Sequence, residues 1–229
     1  MEKTIAETII EAREARRPVA LVTVLESGVQ RLVARGEETG LGEAVEEAFR
    51  RDRSGTVPTP EGEVFIRVYN PPLRMLVIGA VHTAQFIVPL AAMTDYDVTI
   101  IDPRGAFATD ERFPGVKLIA EWPDEVLPGL GLDARTAMIA LTHDPKIDDV
   151  ALKLALASDC FYIGALGSTR THAKRVERLS GQGIAEAALA RIHAPIGLDI
   201  GAQGPAEIAL SIMSEVTSVL RGKRKERAA

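Results

Sequence analysis

The first candidate for chemistry is the stretch "MLVIGAVHTAQF", Met75–Phe86. Its apolar residues lead through Gly79 into a helical pattern, which is the order of strand, loop and helix in a nucleotide-binding crossover. Asp102 ends the next apolar run, 23 positions after Gly79. The acidic residue that binds the ribose of a dinucleotide is expected at about this distance. The spacing therefore predicts a ligand-binding crevice at Gly79 and Asp102.

The loop after Gly79 departs from the dinucleotide fingerprint. Its second glycine lets the backbone approach a pyrophosphate, and its third lets helix and strand pack closely. Val81 and Ala84 occupy these positions. Ala84 suits close packing, but the branched Val81 side chain lies where a pyrophosphate would bind. The usual dinucleotide pose is disfavoured, which leaves a crossover kept for its fold alone or one that holds another ligand.

The segment "ALTHDPKIDD" places polar residues after another buried strand. His143 and Asp144 are expected at the mouth of the crevice, because ligands bind outside the carboxyl ends of parallel strands. Asp148 is placed to cap the following helix. We expect Asp148 and Asp149 to serve mainly in capping and solvation.

A third strand exit, "GALGSTRTHAKR", supplies Gly164 and Gly167, then Ser168 as a predicted N-cap and Arg170 in the first helical turn. Free backbone N–H groups and a nearby guanidinium make such a helix start a candidate anion site. An ordinary capped turn between strand and helix is the alternative.

The stretch "RIHAPIGLDIGAQGPAEIA" is rich in both glycine and apolar residues. We expect it to fold back over the sheet edge and to bring His193 and Asp199 to the crevice. Pro205 suits the first position of the last helix. A second anion-binding helix start at Gly204–Glu207 is a further hypothesis.

No sequence signature indicates a catalytic nucleophile or a metal site. The four histidines lack the spacing of a local zinc motif, and there is no GxSxG elbow or phosphate-binding P-loop. Cys160, the single cysteine, opens an apolar strand and is expected to be a buried small hydrophobe. We assign no catalytic residue and no metal ligand.

The elements before residue 71 predict a small α+β domain over residues 1–70. Thr4 and Glu7 form a capping-box pattern that opens a helix over residues 5–16. Two strands joined at 26–28, a helix in 41–51, a loop over 52–62 and a strand over 63–69 follow. Pro71 and Pro72 mark the boundary.

Residues 71–229 alternate apolar strands with helices, which predicts an α/β fold: a Rossmann-like, doubly wound parallel sheet. The predicted strands are "RMLVIGA", "YDVTIID", "VKLIA", "TAMIALTH" and "CFYIGALGS". Helices are predicted over residues 86–93, 148–157, 170–179 and 205–220.

Composition excludes several classes. The net charge is −5 and no element carries a basic stripe, so nucleic-acid binding is not expected; the one basic run, from Arg221 to Arg227, is interpreted as a solvated helix end.

The chain start has no apolar signal-peptide core and no stretch has the length of a membrane span. A single cysteine suits a reducing compartment. We therefore expect a cytoplasmic protein, and an exposed aliphatic edge makes a homodimer a further expectation.

Three blocks resemble a known family: "ALTHDPKIDDVALKLAL", "FYIGALGSTRTHAKRVERL" and "RIHAPIGLDIGAQGPAEIALSIMSEV". They are similar to the carboxy-terminal domain of the XdhC/CoxI family, accessory proteins that mature xanthine dehydrogenase and related molybdenum hydroxylases. The resemblance spans about residues 72–221. It implies a chaperone that binds the molybdenum cofactor, as molybdopterin or its cytosine dinucleotide form, and assists its sulfuration and insertion. The implied partners are the large subunit of an apo-hydroxylase and a cysteine desulfurase.

The chain departs from this family at two places. The family's first loop has a "GAGHVG"-like form, from which Gly79, Ala80 and His82 remain. Its amino-terminal domain carries a "GGCVE"-like segment with a candidate cysteine ligand, whereas "TGLGEAVEEA" has no cysteine and the first 70 residues look shortened.

Residues and resemblance together predict one cofactor-binding crevice, formed by Gly79, Ala80, His82, Asp102, His143, Asp144, Gly164, Gly167, Ser168, Arg170, His193 and Asp199. Two other functions stay open. One is an NAD(P)-binding oxidoreductase, which Asp102 favours and Val81 disfavours. The other is a protein-interaction module whose crevice is vestigial.

Overall fold

The computed structural model describes residues 4–38, 40–41, 43–59 and 62–222. The chain divides into two compact units, Met1–Pro71 and Pro72–Ala229. Most of the predicted basic run, from Lys223 onward, lies outside the described residues, as do Thr39 and Gly42 of the segment "TGLGEAVEEA".

The first unit is an antiparallel sheet with two helices. Its elements are α1 (Ile5–Glu14), β1 (Val19–Val24), β2 (Gln30–Ala34), α2 (Glu43–Arg51), β3 (Gly55–Thr59) and β4 (Gly62–Tyr69), and the strand order is β2-β1-β4-β3. Thr4 and Glu7 form the predicted capping box at the start of α1. A small apolar cluster that includes Val22, Phe49 and Ile66 forms its core.

Strand β3 contradicts the predicted loop over residues 52–62. It pairs with β4, so that Val57 lies opposite Val64. Pro58 cannot donate to a ladder, but β3 is an edge strand and tolerates it. The prediction was wrong because the Gly/Pro/Thr composition is typical of a loop, while the pairing partner lies outside the segment.

The second unit is a six-stranded parallel sheet with helices. Its elements are β5 (Leu73–Ile78), α3 (His82–Met93), β6 (Tyr96–Ile101), β7 (Lys117–Ile119), α4 (Pro123–Leu130), β8 (Thr136–Ala140), α5 (Pro145–Leu156), β9 (Tyr162–Ala165), α6 (Thr169–Gly181), α7 (Glu186–Leu189), β10 (Ile192–His193) and α8 (Pro205–Leu220). The order is β10-β9-β8-β5-β6-β7, and every recorded pairing is parallel. The order reverses between β5 and β8, as in a Rossmann fold.

Both faces of this sheet are covered, which confirms the predicted doubly wound α/β architecture. Alternate residues of β5 enter different apolar clusters: Met75 and Val77 join Ile87 of α3 and Ile212 of α8, whereas Leu76 packs in the cluster of α4, α5 and α6. Because successive side chains of a strand point to opposite faces, this alternation places helices on each side.

Helix α4 was not predicted, because Pro128 and Gly129 lie inside it. Pro123 occupies its first turn, and Val126 and Leu127 are buried in the second apolar cluster. Tertiary packing therefore overrides the local helix propensity. The short elements α7 and β10 were also missed. None of the described helices is long and apolar enough to cross a membrane.

Candidate functional site

Residues that follow β6 and β8 contact the loop at the end of β5 closely. Gly79 has φ +110°, and a Cβ added there would lie 2.6 Å from Thr142 Cγ2 on the neighbouring exit. Only glycine combines this backbone conformation with this approach. The Ala80 N–H donates to Asp102 Oδ2 at 2.8 Å. Gly79, Ala80 and Asp102 thus lie at neighbouring strand exits, where Ala80 bonds Asp102 and Gly79 packs against Thr142. Ligand binding by these residues stays a prediction.

Asp102 is fully buried and anchors two loops. Arg104 donates from Nε to Oδ1 at 2.9 Å and from Nη2 to Oδ2 at 2.8 Å, and its backbone N–H reaches Oδ1 at 3.0 Å. Burial alone would raise the pKa of Asp102, but the hydrogen bonds from Arg104 and Ala80 outweigh it and lower that pKa. Since four donors use all the acceptor positions of the carboxylate, direct ligand binding by Asp102 stays a prediction that requires Arg104 to move.

Helix α3 begins at His82 without a side-chain cap. Val81 is its N-cap and packs against the first apolar cluster. The exposed His82 ring lies 5.3 Å from the Phe86 ring, centroid to centroid. The first loop therefore presents His82 to solvent and the Val81 side chain to the core.

The exit of β8 is organised around Asp148, which is 1% exposed. Thr142 donates to Oδ1 from Oγ1 at 2.7 Å and from its N–H at 3.2 Å, and the His143 N–H donates to Oδ2 at 3.0 Å. The N-cap of α5 is instead Asp144, which accepts from the Lys146 N–H at 2.9 Å. The prediction that Asp148 caps the helix in solvent was wrong, because its carboxylate turns inward to bind the loop that precedes the helix. Burial raises the pKa of Asp148.

The other expected solvated acid, Asp149, is buried as well. It accepts two hydrogen bonds from Arg178 of α6, from Nε at 2.6 Å and from Nη2 at 3.0 Å. Its partner lies 29 positions away in sequence, so no local pattern could reveal the pair.

His143 is exposed and has φ +62°, the left-handed region that a non-glycine residue enters at a cost. Its N–H is held by Asp148, which stabilises this conformation. The buried carboxylate thus positions His143 outside the carboxyl end of β8. A role for His143 in ligand binding stays a prediction.

The exit of β9 separates two roles for its glycines. Gly164 lies within β9, and a Cβ there would lie 2.5 Å from Ile196 Cδ1, so this glycine serves close packing. Gly167 has φ +133° and forms the turn into α6. Ser168 is the N-cap, as predicted, and accepts from the Thr171 N–H at 3.2 Å. Arg170 is exposed in the first turn.

His193 belongs to a buried network that the sequence did not reveal. Its Nδ1 lies 3.3 Å from Oε1 of Glu215, which is 2% exposed. Oε2 of Glu215 accepts from the Tyr162 hydroxyl and the Gly197 N–H, each at 2.7 Å, and the His193 ring stacks on Tyr162. These contacts hold the loop after β10 against α8.

The start of α8 carries its own anion. Glu207 accepts from the Gln203 N–H at 2.8 Å and the Gly204 N–H at 3.2 Å, and these hydrogen bonds lower the pKa of Glu207. This carboxylate occupies the Gly204 N–H, one of the groups on which the hypothesis of a second anion site at Gly204–Glu207 depended.

The structure brings only some of the predicted residues into cavities. A pocket of about 280 Å³ lies between α5 and α6 and is lined by His143, Pro145, Asp148, Asp149, Arg170, Thr171, Lys174, Arg175 and Arg178. A second, of about 530 Å³, lies along the loop after β10, where Asp199 faces it with Thr169 and Ile196. His143 and Arg170 thus share one pocket, while Asp199 lies in the other. In the pocket between α5 and α6, the sequence analysis did not predict the cationic residues Lys174, Arg175 and Arg178. They follow the predicted N-cap, Ser168, on the same helix.

The second unit is a Rossmann-like domain whose polar residues gather outside the carboxyl ends of β8 and β9. Residues 75–216 match the family described as the XdhC Rossmann domain. The chain belongs to this family.

Curated relatives include a probable xanthine dehydrogenase subunit from Bacillus subtilis, 32% identical over 155 residues, which are 67% of this chain and 44% of that protein. The molybdenum cofactor insertion chaperone PaoD from Escherichia coli is 32% identical over 151 residues, 66% of this chain and 41% of that protein. The chain spans less than half the length of these relatives.

A crystal structure of a xanthine dehydrogenase from Bacillus halodurans superposes with a TM-score of 0.67. It is 22% identical, and the alignment covers 97% of this chain and 65% of that one. This likeness supports the fold.

Proposed function

We propose that this protein is a maturation chaperone that binds the molybdenum cofactor as cargo and assists its insertion into a xanthine dehydrogenase type molybdenum hydroxylase. The observation that carries this proposal is the family match over residues 75–216, which contain every residue of the predicted crevice. One relative, 32% identical over 151 residues, is named as a molybdenum cofactor insertion chaperone.

The geometry favours a cargo other than NAD(P). The Asp102 carboxylate, which would bind a ribose, is already filled by Arg104 and Ala80. The polar residues of the pocket between α5 and α6 follow β8 and β9, on the other side of β5 from Asp102. A pterin cofactor with a terminal phosphate suits a crevice in which anion-binding groups are separated from the first loop.

The proposal also covers sulfuration of the molybdenum cofactor, with the reacting thiol supplied by a partner. Cys160 is the only cysteine of the chain, it is buried, and burial raises the pKa of its thiol. Reactive cysteines have accessible, readily ionised thiols. We therefore propose that a partner, such as a cysteine desulfurase, supplies the thiol for any sulfur transfer. The cytosine dinucleotide form, a homodimer and a cytoplasmic location stay predictions.

The test is a cofactor assay on the purified protein. It is produced in a cell that makes the molybdenum cofactor and in one blocked in molybdopterin synthesis, and bound pterin is released oxidatively and measured by fluorescence. We expect about one pterin per chain from the first cell and none from the second. Absence of pterin from both, with cofactor supply verified, contradicts the proposal.

The alternatives predict other results. Saturable binding of NAD(H) or NADP(H) supports an oxidoreductase. A protein-interaction module predicts that His143→Ala leaves hydroxylase maturation intact, whereas surface substitutions within residues 1–70 abolish it.

A further inference from the structure

Arg175 is the least satisfied charged group that faces a cavity among the described residues. It is 2% exposed, and its Nη2 donates to the Leu166 carbonyl at 3.0 Å. Within the described part of the chain, its Nε and Nη1 are buried and have no hydrogen-bond partner. Burying a cation without partners is costly, so proteins pair such groups or bind an anion against them.

The carboxylates around this pocket do not pair with Arg175. Asp149 is engaged by Arg178, and Asp148 by Thr142 and His143. Both act on Arg175 only at longer range: burial lowers the pKa of the guanidinium, and their charges raise it again in part. Arginine keeps its proton in proteins, so the positive charge stays.

The pocket lining carries an excess of positive charge. It holds four cationic side chains, of Arg170, Lys174, Arg175 and Arg178, against the two carboxylates. Arg170 and Lys174 are exposed one turn apart on α6, so they stand at the rim while Arg175 lies beneath. A concave site with cations at its rim and a fixed charge below attracts a small anion.

We propose that this pocket binds a phosphate group, with Arg170 and Lys174 as its contacts and the Arg175 charge beneath them. The inference rests on the proposed function in one respect: the phosphate is taken to be that of the pterin cargo. A volume of about 280 Å³ is below the range of pockets that enclose a whole ligand, which begins at roughly 300 Å³, and fits the end of one. The proposed site lies between α5 and α6.

Phosphate titration tests the site without any cofactor. Inorganic phosphate and pyrophosphate are added to the full chain, and backbone amide shifts of α6 are followed by NMR. We expect saturable shifts in the wild type, affinity reduced about fivefold or more in Lys174→Met, and no change in Lys153→Met, an exposed lysine on α5 that loses the same charge. Equal affinity in the two lysine variants, or no saturable shift in the wild type, overturns the inference.

Arg175→Met adds a thermal test. Phosphate that binds only the folded state raises the Tm of the wild type. We expect a smaller rise in Arg175→Met than in the wild type, because the variant loses the positive charge beneath the two contacts. A Tm rise as large as that of the wild type contradicts a role for Arg175. If this variant does not fold, the comparison of the two lysine variants still decides.

The pterin assay separates the inference from the proposed function. Phosphate binding that depends on Lys174, in a protein that never carries pterin, supports the pocket and contradicts the cargo. Pterin retained equally by the wild type and Lys174→Met supports the cargo and contradicts this pocket as its phosphate site.

Discussion

Two buried aspartates that follow different strands show how neighbouring groups shift the pKa of a carboxyl group. Burial opposes ionisation of both carboxyl groups, yet the pKa of Asp102 is lowered and that of Asp148 is raised. The difference is the partner: Asp102 faces the Arg104 guanidinium, whereas Asp148 accepts from neutral N–H and hydroxyl groups. Hydrogen bonds to a charged donor stabilise a carboxylate more than neutral ones do.

At this scale we predict that Arg104→Met destabilises the protein in a pH-dependent way. The stability that ionised Asp102 contributes is present above its ordinary pKa of 3.8 and is lost as pH falls through its lower folded-state pKa. Urea unfolding should show a free energy of unfolding lower by about 1–2 kcal/mol at pH 7, a modest decrease because Arg104 is partly exposed. The decrease should be smaller at pH 3. Lys153→Met is the exposed control, and an equal loss at both pH values contradicts the prediction.

At the scale of elements, one glycine of β9 and one of α6 lie in opposite packing environments. Gly164 leaves no room for a Cβ beside Ile196 and Tyr162, whereas nothing lies within 4 Å of a Cβ at Gly181 in α6. Close contact at Gly164 therefore packs β9 against Ile196 in the loop that follows β10.

We therefore predict opposite effects of the same substitution. Gly164→Ala should lower the free energy of unfolding by about 1–3 kcal/mol through overpacking. Gly181→Ala should raise it by roughly 0.5–1 kcal/mol, because alanine favours the helix. Denaturant unfolding of both variants measures this, and Ile196→Val should recover part of the Gly164→Ala loss. Equal effects of the two alanines show that the close approach does not matter.

At the scale of the whole molecule, each unit has its own apolar core. Both large clusters consist of residues after Pro72, and the cluster with Phe49 and Ile66 consists of residues before it. The proposed phosphate pocket is lined entirely by the second unit.

A chain that starts at Pro72 is thus expected to fold alone and to keep the phosphate-dependent rise in Tm. Thermal unfolding with and without phosphate checks this, with Lys174→Met in the same shortened chain as the control. A shortened chain that folds cooperatively but does not respond to phosphate contradicts the prediction and shows that residues 1–71 are needed for the site.

The sequence alone determined what depends on near neighbours and on periodicity. The caps formed by Thr4 with Glu7 and by Ser168 with Thr171 each span three positions, and the apolar runs of β5, β6 and β8 are typical of buried parallel strands. These features follow from local hydrogen-bonding rules and from a core that covers both faces of the sheet.

Only the tertiary structure decided the partners of the polar groups. Tyr162 meets Glu215 across 53 positions and Arg178 meets Asp149 across 29, while β3 forms only because β4 lies beside it. Asp148 turned inward, and Arg175 was left buried without a full set of partners. Burial and long-range pairing set the energy of a charged side chain, and neither can be read from its neighbours along the chain.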